Sequence, residues 1–408
     1  VVLLGVVAFV VALIVSVVLH EAGHFLTARR YGMKATQFFV GFGPTLWSRQ
    51  RGETEYGFKA IPAGGFVKIV GMTPLEELEP EDEDRAFYKH SAGKKAVVLS
   101  AGSAVHFLIA VVLVFGTVFA FGTVDETAPV VSAPASTVPL SVAVVDGQGV
   151  ASEQTVPAPA AGVLEQGDRV LAVDGTRVGT WQEVVAAVRE RPGRPVELLV
   201  ERDGAQRSLS VTPVEVTRPA LDAGGELVAG RTETVGAIGV GRGVLFTRPG
   251  PVEAVGESVD LVGTIISGTY TAITEKLGTV TGIYGPDRDP QGLIGVVGAA
   301  RVSGEVAAIE IPFVQRVASF LLLIAGINFF IGVFNLLPLL PLDGGHLAVL
   351  AYENGRDRLR RLRGYRGEIQ RVDFNKLMPL TYAVVLAFIG LTVFIAGADI
   401  VNPVRLIQ

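Results

Sequence analysis

There is no cysteine anywhere in the 408 residues, so the chain has neither a disulfide framework nor a thiol nucleophile. The same absence leaves the redox compartment undetermined and means that any zinc must be held by histidine and carboxylate. Charge is scarce as well, with Asp, Glu, Lys and Arg making up 18% of the chain against 49% hydrophobic residues. That is too apolar for an ordinary soluble enzyme and too polar for a pure helical bundle, which leaves a mixed membrane protein. A net charge of -5, without a basic patch interleaved with aromatics, argues for no nucleic-acid partner. Repeats of about 20 to 50 residues are missing too, which excludes a solenoid or an inverted-repeat transporter.

What the chain does have is apolar length. Four runs reach the roughly 20 residues needed to cross a bilayer: Val1 to about Thr27, Ala96 to Gly122, Val317 to about Leu342, and Leu380 to Ala398. The first is read as a retained span rather than a cleaved signal peptide, because no small-residue cleavage pattern precedes the motif it carries. Basic residues set the orientation. Arg29, Arg30 and Lys34 follow the first span, Lys89, Lys94 and Lys95 precede the second, and Arg356, Arg358, Arg360, Arg361 and Arg363 lie between the third and fourth. Both of those loops are expected in the cytoplasm, with the termini and the stretch from about Thr123 to Gln315 outside.

The first run ends in Val18-Leu19-His20-Glu21-Ala22-Gly23-His24-Phe25. On a helix His20 and His24 lie one turn apart on one face, so two imidazoles can grip one Zn²⁺ while Glu21 sits beside it as a general base. The alternative is a chance pair of histidines on an amphipathic helix. From Val1 to Leu19 the only polar side chain is Ser16, and ionisable groups at such a place are costly and functional by default. A second break in the apolar pattern comes at Asn335-Leu336-Leu337-Pro338-Leu339-Leu340-Pro341-Leu342-Asp343-Gly344-Gly345. Two prolines stop the helix and two glycines let the backbone turn closely, which lipid tolerates only around a protein-enclosed cavity. A catalytic zinc takes three protein ligands and a water, so Asp343 is the candidate third ligand. The alternative is an aspartate that merely caps the next helix.

Between the first two spans, Tyr56 to Ile69 alternates weakly and is punctuated by glycines, which predicts a short hairpin whose edge can pair with an extended peptide. Otherwise it only connects the spans. The acidic run Glu76 to Asp84 is read as a solvated loop. Thr123 to Thr155 is read as a linker leading into a first strand. The phrase Ala161-Gly162-Val163-Leu164-Glu165-Gln166-Gly167-Asp168-Arg169-Val170 follows, then a helix over Trp181–Arg189 and strands over Val196–Arg202 and Gln206–Thr212 joined at Asp203-Gly204. This order resembles a PDZ domain, which adds a peptide strand to a sheet edge beside a helix. An empty, PDZ-shaped spacer is the alternative. Val252 to Thr274 carries Val255, Val259, Val262, Ile265 and Ile266 at helical spacing and is expected to lie on the membrane surface.

Taken together, His20-Glu21-x-x-His24, Asn335-Leu-Leu-Pro-x-x-Pro-Leu-Asp343-Gly-Gly, the PDZ-like insert and four spans resemble the site-2 proteases. These are intramembrane zinc metalloproteases, and among them the sequence resembles a bacterial regulator-of-sigma-factor protease with one PDZ domain. The resemblance covers nearly the whole sequence. It implies a polytopic α-helical membrane protein of about four transmembrane helices, with a membrane-associated β-hairpin and an inserted α+β PDZ-like extracytoplasmic domain. The corresponding division is 1–122 for the first half of the protease core, 123–235 for the PDZ-like domain with its linker, 236–316 for a membrane-associated segment, and 317–408 for the second half of the core.

The resemblance further implies Zn²⁺ on His20, His24 and Asp343, with Glu21 activating water. Substrate is implied to bind in extended form at Gly57, Phe58, Gly64, Gly65 and Phe66, and Asn335 to position its backbone. The implied substrates are single-span membrane proteins, an anti-sigma factor or a remnant signal peptide, cut after the bulk of the ectodomain is gone. The setting is the bacterial cytoplasmic membrane, with the active site toward the cytoplasm. A peptide or a free C-terminus is a candidate ligand of the PDZ-like domain. Relatives often have two PDZ domains and a Gly-Pro-x-x-Asn phrase. Here one PDZ domain is legible, and Gly102-Ser103 precedes a histidine, His106, at the Asn position. His106 either polarises the scissile carbonyl or bonds within the bundle, with Asn328 a polar neighbour from the third span. A silent membrane scaffold and a metal-ion transporter compete with the protease. Glu21, which is no ligand, argues against the first, and the lack of a carboxylate path argues against the second.

Overall fold

The structure, a computed structural model, describes residues 1–72, 78–125, 127–145, 148–221, 227–243, 245–285, 288, 292–308, 312–364 and 371–404. The protein divides into two compact units, Val1–Phe121 with Gly250–Gln408, and Gly122–Pro249. Among the described residues there are eight α-helices: α1 (Val2–Arg30), α2 (Ala92–Phe121), α3 (Trp181–Arg189), α4 (Pro251–Thr274), α5 (Val296–Ala308), α6 (Phe313–Asn335), α7 (Asp343–Leu362) and α8 (Phe374–Val401).

Of these, α1, α2, α6 and α8 are long and apolar enough to cross a membrane. Their sequences are rich in Val, Ile and Phe, which weakly oppose a helix in water. In lipid the helix wins, because every backbone polar group must be satisfied within the segment. The third span stops at Asn335, short of the Leu342 expected from hydropathy, because Pro338 and Pro341 cannot continue it.

Small residues set the packing in the first unit. The buried positions of α1, namely Gly5, Phe9, Ser16, His20, Gly23, His24, Phe25 and Ala28, fall almost entirely on one stripe. A Cβ on Gly5 would come within 2.5 Å of the Ser303 carbonyl of α5, and one on Gly23 within 2.8 Å of the Ala101 carbonyl of α2. Such contacts let helices approach closely where lipid supplies no hydrophobic drive of its own. In α4 the five apolar positions read from sequence split. Val262 and Ile265 pack with Leu261 against Ala110, Val114 and Ala325, while Val255, Val259 and Ile266 stay exposed.

The segment after α1 corrects the expected local hairpin. Tyr56 to Ile69 is not a hairpin by itself but most of one strand, β2 (Thr54–Ile69), paired with β1 (Ala35–Arg51). The bent pair gives Phe38 two partners, Val67 and Tyr56, and Phe39 two, Phe66 and Gly57. Gln37–Val40 is therefore interior to this small sheet, and among the described residues Gly65–Ile69 is strand-paired on one side only. The expectation failed because the periodicity of 56–69 says nothing about a partner 20 residues upstream. Of the acidic run, Glu76 and Glu77 lie outside the described residues. Asp82 and Glu83 bond Lys34 at 2.6 Å and Lys89 at 2.8 Å.

The second unit holds strands β3 (Thr123–Asp125), β4 (Thr137–Pro139), β5 (Val142–Val145), β6 (Gln148–Ala151), β7 (Thr155–Pro157), β8 (Arg169–Val173), β9 (Thr176–Arg177), β10 (Val196–Arg202), β11 (Ala205–Val211), β12 (Val214–Leu221), β13 (Leu227–Ala237) and β14 (Leu245–Thr247). Thr123 to Thr155 thus holds several short paired strands rather than a linker and one strand. Residues 236–249, grouped from sequence with the membrane-associated segment, belong to this unit, since β14 pairs with β3 and Gly239 and Gly241 pair with Ala135 and Ser132. The central sheet runs β11-β10-β8-β9. α3 begins in a capping box, with the Thr180 hydroxyl accepting from the Glu183 amide. It buries Val184 and Val188 against Val170, Val196 and Leu198 of the sheet.

Asp168 is 1% exposed, and its carboxylate accepts from the Arg202 guanidinium at 2.7 and 2.6 Å and from the Glu165 amide at 2.9 Å. Burial opposes the charge, but the Arg202 fork holds this carboxyl below the usual Asp range. Since an unfolded Asp titrates near about 3.9, the pair stabilises the unit fully above about pH 5 and loses that contribution as pH falls through the folded value. Asp168→Asn should lower the unfolding midpoint of this unit by roughly 5–10 °C at neutral pH. The deficit should shrink toward pH 3. Trp181 fluorescence in a Trp47→Phe variant reads it out; an equal deficit at both pH values would contradict this account.

Candidate metal centre

The site grows from three pieces of backbone. α1 carries His20 and His24 one turn apart on its buried stripe. α2 faces them with Val98 and Gly102, and the turn after α6 delivers Asp343 as the first residue of α7. Asp343 makes no capping bond there; the N-cap is Leu342, without a side-chain bond. Its position is set by the two glycines that follow. A Cβ on Gly344 would fall 2.2 Å from the Leu336 carbonyl oxygen, and one on Gly345 2.6 Å from Leu339 and Leu340 backbone atoms. Only glycine lets residues 336–340 wrap the first turn of α7 this closely.

The donor atoms converge. His24 Nε2 lies 3.2 Å from His20 Nε2, and Asp343 Oδ2 lies 3.5 Å from the first histidine and 3.3 Å from the second. His24 donates its Nδ1–H to the Val98 carbonyl at 2.7 Å, which orients the ring and leaves Nε2 as the lone pair. Asp343 Oδ2 is buried with no hydrogen-bond partner. An orphaned carboxylate oxygen costs free energy unless something else satisfies it. Four donors around one tetrahedral zinc at about 2.0–2.2 Å stand roughly 3.3–3.6 Å apart. The three protein atoms match three corners of that arrangement, and an N₂O donor set suits Zn²⁺, so these residues fit the ion. Gly102 completes the cradle, since its missing Cβ would fall 2.4 Å from His20 Cε1 and 2.5 Å from His24 Nε2.

Glu21 stands beside the triangle and is not part of the donor group. Its carboxylate takes a hydrogen bond from the Val67 backbone, and its Cγ would lie 2.9 Å from a Cβ on Gly65. The half-paired edge of β2 thus runs against the general-base candidate. Of the other hairpin residues named from sequence, Phe66 stacks between Phe39 and Phe42, at 5.6 and 6.3 Å, and Gly64 packs on the Phe42 ring. Gly57 and Phe58 contact Phe39 and Trp47 inside the sheet, and Gly65 alone is placed against Glu21. Asn335 is the last residue of α6 and is half-buried.

His106 is 1% exposed, with its ring centroid 4.9 Å from that of His20. Its Nδ1–H donates to Asn328 Oδ1 at 2.9 Å, and Asn328 in turn donates to the Ile324 carbonyl at 2.9 Å. Reading the sequence missed the parts played by Val98 and Val67, and it named Gly102 only as the first residue of the altered Gly-Pro-x-x-Asn phrase, without its approach to the two histidines.

Comparison with known proteins agrees with this geometry. The pattern that defines Peptidase family M50 matches residues 8–371. The sequence is 39% identical to the zinc metalloprotease Rip1 of Mycobacterium tuberculosis, over 99% of both proteins. It is 38% identical to Rip1 of Mycolicibacterium smegmatis, again over 99% of both. It is 28% identical to the zinc metalloprotease RasP of Geobacillus kaustophilus, over 86% of this protein and 89% of that one. The protein therefore belongs to Peptidase family M50, the site-2 proteases, and is a multi-pass membrane protein that carries out intramembrane proteolysis with Zn²⁺.

Proposed function

We propose that the protein cuts peptide bonds within or beside the transmembrane segment of single-span membrane proteins, with His20, His24 and Asp343 holding the zinc and Glu21 as general base. The observation that carries this reading is the place of Glu21, next to the donor triangle on one side and the half-paired edge at Gly65–Val67 on the other. Zn²⁺ held by His20, His24 and Asp343 would make a water a stronger acid and would polarise a substrate carbonyl. Glu21 accepts the proton of the attacking water and returns it to the leaving amine.

The β2 edge holds the substrate. A transmembrane helix hides its amides in its own hydrogen bonds, so it must unwind before cleavage, and pairing along Gly65–Val67 replaces some of what is lost. Helix-weak segments with Gly or Pro are the better substrates. Asn335, at the mouth of the turn that delivers Asp343, positions the substrate backbone, and the His106–Asn328 pair keeps α2 and α6 in register behind His20. The second unit is a PDZ-like recognition domain on the outer side of the bacterial cytoplasmic membrane. It selects proteins already shortened by a first cut, such as an anti-sigma factor, or a remnant signal peptide. The basic residues after α1 and in the second half of α7 support a reading with the catalytic side toward the cytoplasm.

Metal removal tests the reading. In proteoliposomes containing a single-span substrate, dialysis against a chelator should bring cleavage to background. Adding back Zn²⁺ should restore it while Mg²⁺ does not, because an N₂O site selects against a hard octahedral ion. Cleavage that survives in the metal-free protein would overturn it.

A further inference from the structure

Just beyond the end of β2 the first unit holds a cavity of about 60 Å³, lined among others by Gly71, Tyr88, Lys95, His346, Glu353 and Arg371. That is room for a few waters or the end of one side chain, and too little for a peptide backbone. Gly71 turns the chain out of β2 at φ +68°, and a Cβ there would fall 2.8 Å from Ala86 and 2.9 Å from the Tyr88 ring. Lys95 comes from the first turn of α2. His346, Leu350 and Glu353 follow Asp343 at i+3, i+7 and i+10, so the cavity lies along the face of α7 that starts at the donor triangle.

Two features give this cavity an occupant. The first is charge. Lys95 and Arg371 line it against a single acid, Glu353, which already accepts from the Val372 amide at 2.6 Å. Arg371 lies over the Tyr88 ring, 3.8 Å from its centroid, and among the described residues neither Arg371 nor Lys95 bonds a carboxylate. One positive charge is left uncompensated. The second is the end of the β2 ladder. The Val70 amide donates to the Lys34 carbonyl at 2.9 Å, the Val70 carbonyl accepts from the Phe87 amide at 2.8 Å, and the Ile69 carbonyl accepts from the Met72 amide at 3.2 Å. A strand added at Gly65–Val67 therefore finds no ladder past Ile69 and must leave the sheet where Gly71, Met72, Phe87 and Tyr88 wall the cavity.

We propose that this cavity is a substrate subsite, in which Lys95 and Arg371 take the carboxylate of an Asp or Glu side chain on the cytoplasmic flank of the substrate's transmembrane segment. This rests on the reading of the β2 edge as the strand that holds substrate, and names a residue the substrate carries. An extended chain covers about 3.3 Å per residue, so one paired beside Glu21 reaches the cavity roughly three to six residues from the scissile bond. A carboxylate meeting an ammonium and a guanidinium forms charge-assisted hydrogen bonds, the strong class. Cytoplasmic flanks of membrane proteins are mostly basic, so a subsite that asks for an acid passes few of them.

The test uses wild-type protein in proteoliposomes and a panel of single-span substrates. One Glu is moved through the positions flanking the transmembrane segment on the cytoplasmic side, with every other charge there removed, and Gln stands at the same positions in the controls. Glu at one position or two should raise kcat/KM at least about tenfold over Gln, the factor a charged hydrogen bond carries. Lys95→Met combined with Arg371→Gln should erase that preference while the Gln substrates are cut as by wild type. Lys95→Glu should reverse it, so that a substrate Lys is preferred, a gain that a misfolded protein does not show.

Equal cleavage of Glu and Gln substrates at every position overturns the proposal, as does a preference that survives the loss of both cations. A preference of wild type for Lys would assign the cavity to Glu353 and overturn it as well. Retention of the same panel by detergent-solubilised Glu21→Gln protein, measured alongside, separates the two readings. Glu-dependent retention without cleavage by wild type would uphold the subsite and count against the protease, whereas cleavage indifferent to Glu would do the opposite, and neither cleavage nor retention would overturn both.

Discussion

A Glu21→Gln variant should bind zinc as wild type does and lose hydrolysis by about 10²–10⁴-fold, the range general-base catalysis supplies. The expectation that metal stays comes from the geometry. The donor triangle is built from His20, His24 and Asp343, and its supports are the Val98 carbonyl and the glycines at 102, 344 and 345, none of which involves Glu21. Glutamine has the same shape, so it can occupy the space against Gly65 without moving α1. What it lacks is basicity. Metal content by atomic emission and cleavage in proteoliposomes, on both proteins side by side, decide the matter. Zinc in both with cleavage in wild type alone assigns the base, whereas zinc and undiminished cleavage in the variant would remove Glu21 from the mechanism.

Gly102→Ala should have a comparable effect on activity by the opposite route, emptying the metal site while leaving every ligand in place. The added methyl would fall 2.4 Å from His20 Cε1, 2.5 Å from His24 Nε2 and 2.6 Å from His20 Nδ1. Neither partner can yield easily. His24 is held by its bond to Val98, and α1 already touches α2 where a Cβ on Gly23 would meet the Ala101 carbonyl at 2.8 Å. The rings must rotate out of the triangle or the helices must part, and either loses the convergence of donors. Zinc content is expected to fall below about a tenth of wild type, as supporting shells commonly govern metal affinity by 10- to 100-fold. Gly116→Ala on the same helix is the control, since a Cβ there meets nothing within 4 Å. Alanine also favours a helix by roughly 1 kcal/mol over glycine. If Gly102→Ala binds zinc as well as Gly116→Ala does, the close approach has been misjudged.

These two substitutions mark the boundary between what could be read along the sequence and what could not. Glu21 was legible because His-Glu-x-x-His is a statement about one helix, where a four-residue spacing alone puts two rings on one face. The spans were legible for a similar reason, since about 20 apolar residues in lipid have no alternative to a helix. In the second unit, α3 and the β10–β11 hairpin were local as well. One shows in the amphipathic spacing of Trp181–Arg189 and the other in Asp203-Gly204, two residues that both take positive φ.

Gly102 was not legible, because its importance depends on which helix faces it and at what rotation. The hairpin was misread as local for the same reason. β2 is organised by a partner strand whose register no periodicity in 56–69 records, and of its five named residues only Gly65 comes to lie against Glu21. Lys95, Glu353 and Arg371 likewise line one cavity only because α2 and α7 pack against the end of β2. The sequence by itself determined the spans, the two histidines with their glutamate, and the aspartate between prolines and glycines, because each follows from spacing within one segment or from its solvent. Only the tertiary structure decided how these pieces meet: the triangle of donors, the glycine that makes room for it, and the strand edge beside the base. Those depend on distances between segments far apart in the sequence, and packing sets such distances while local spacing does not.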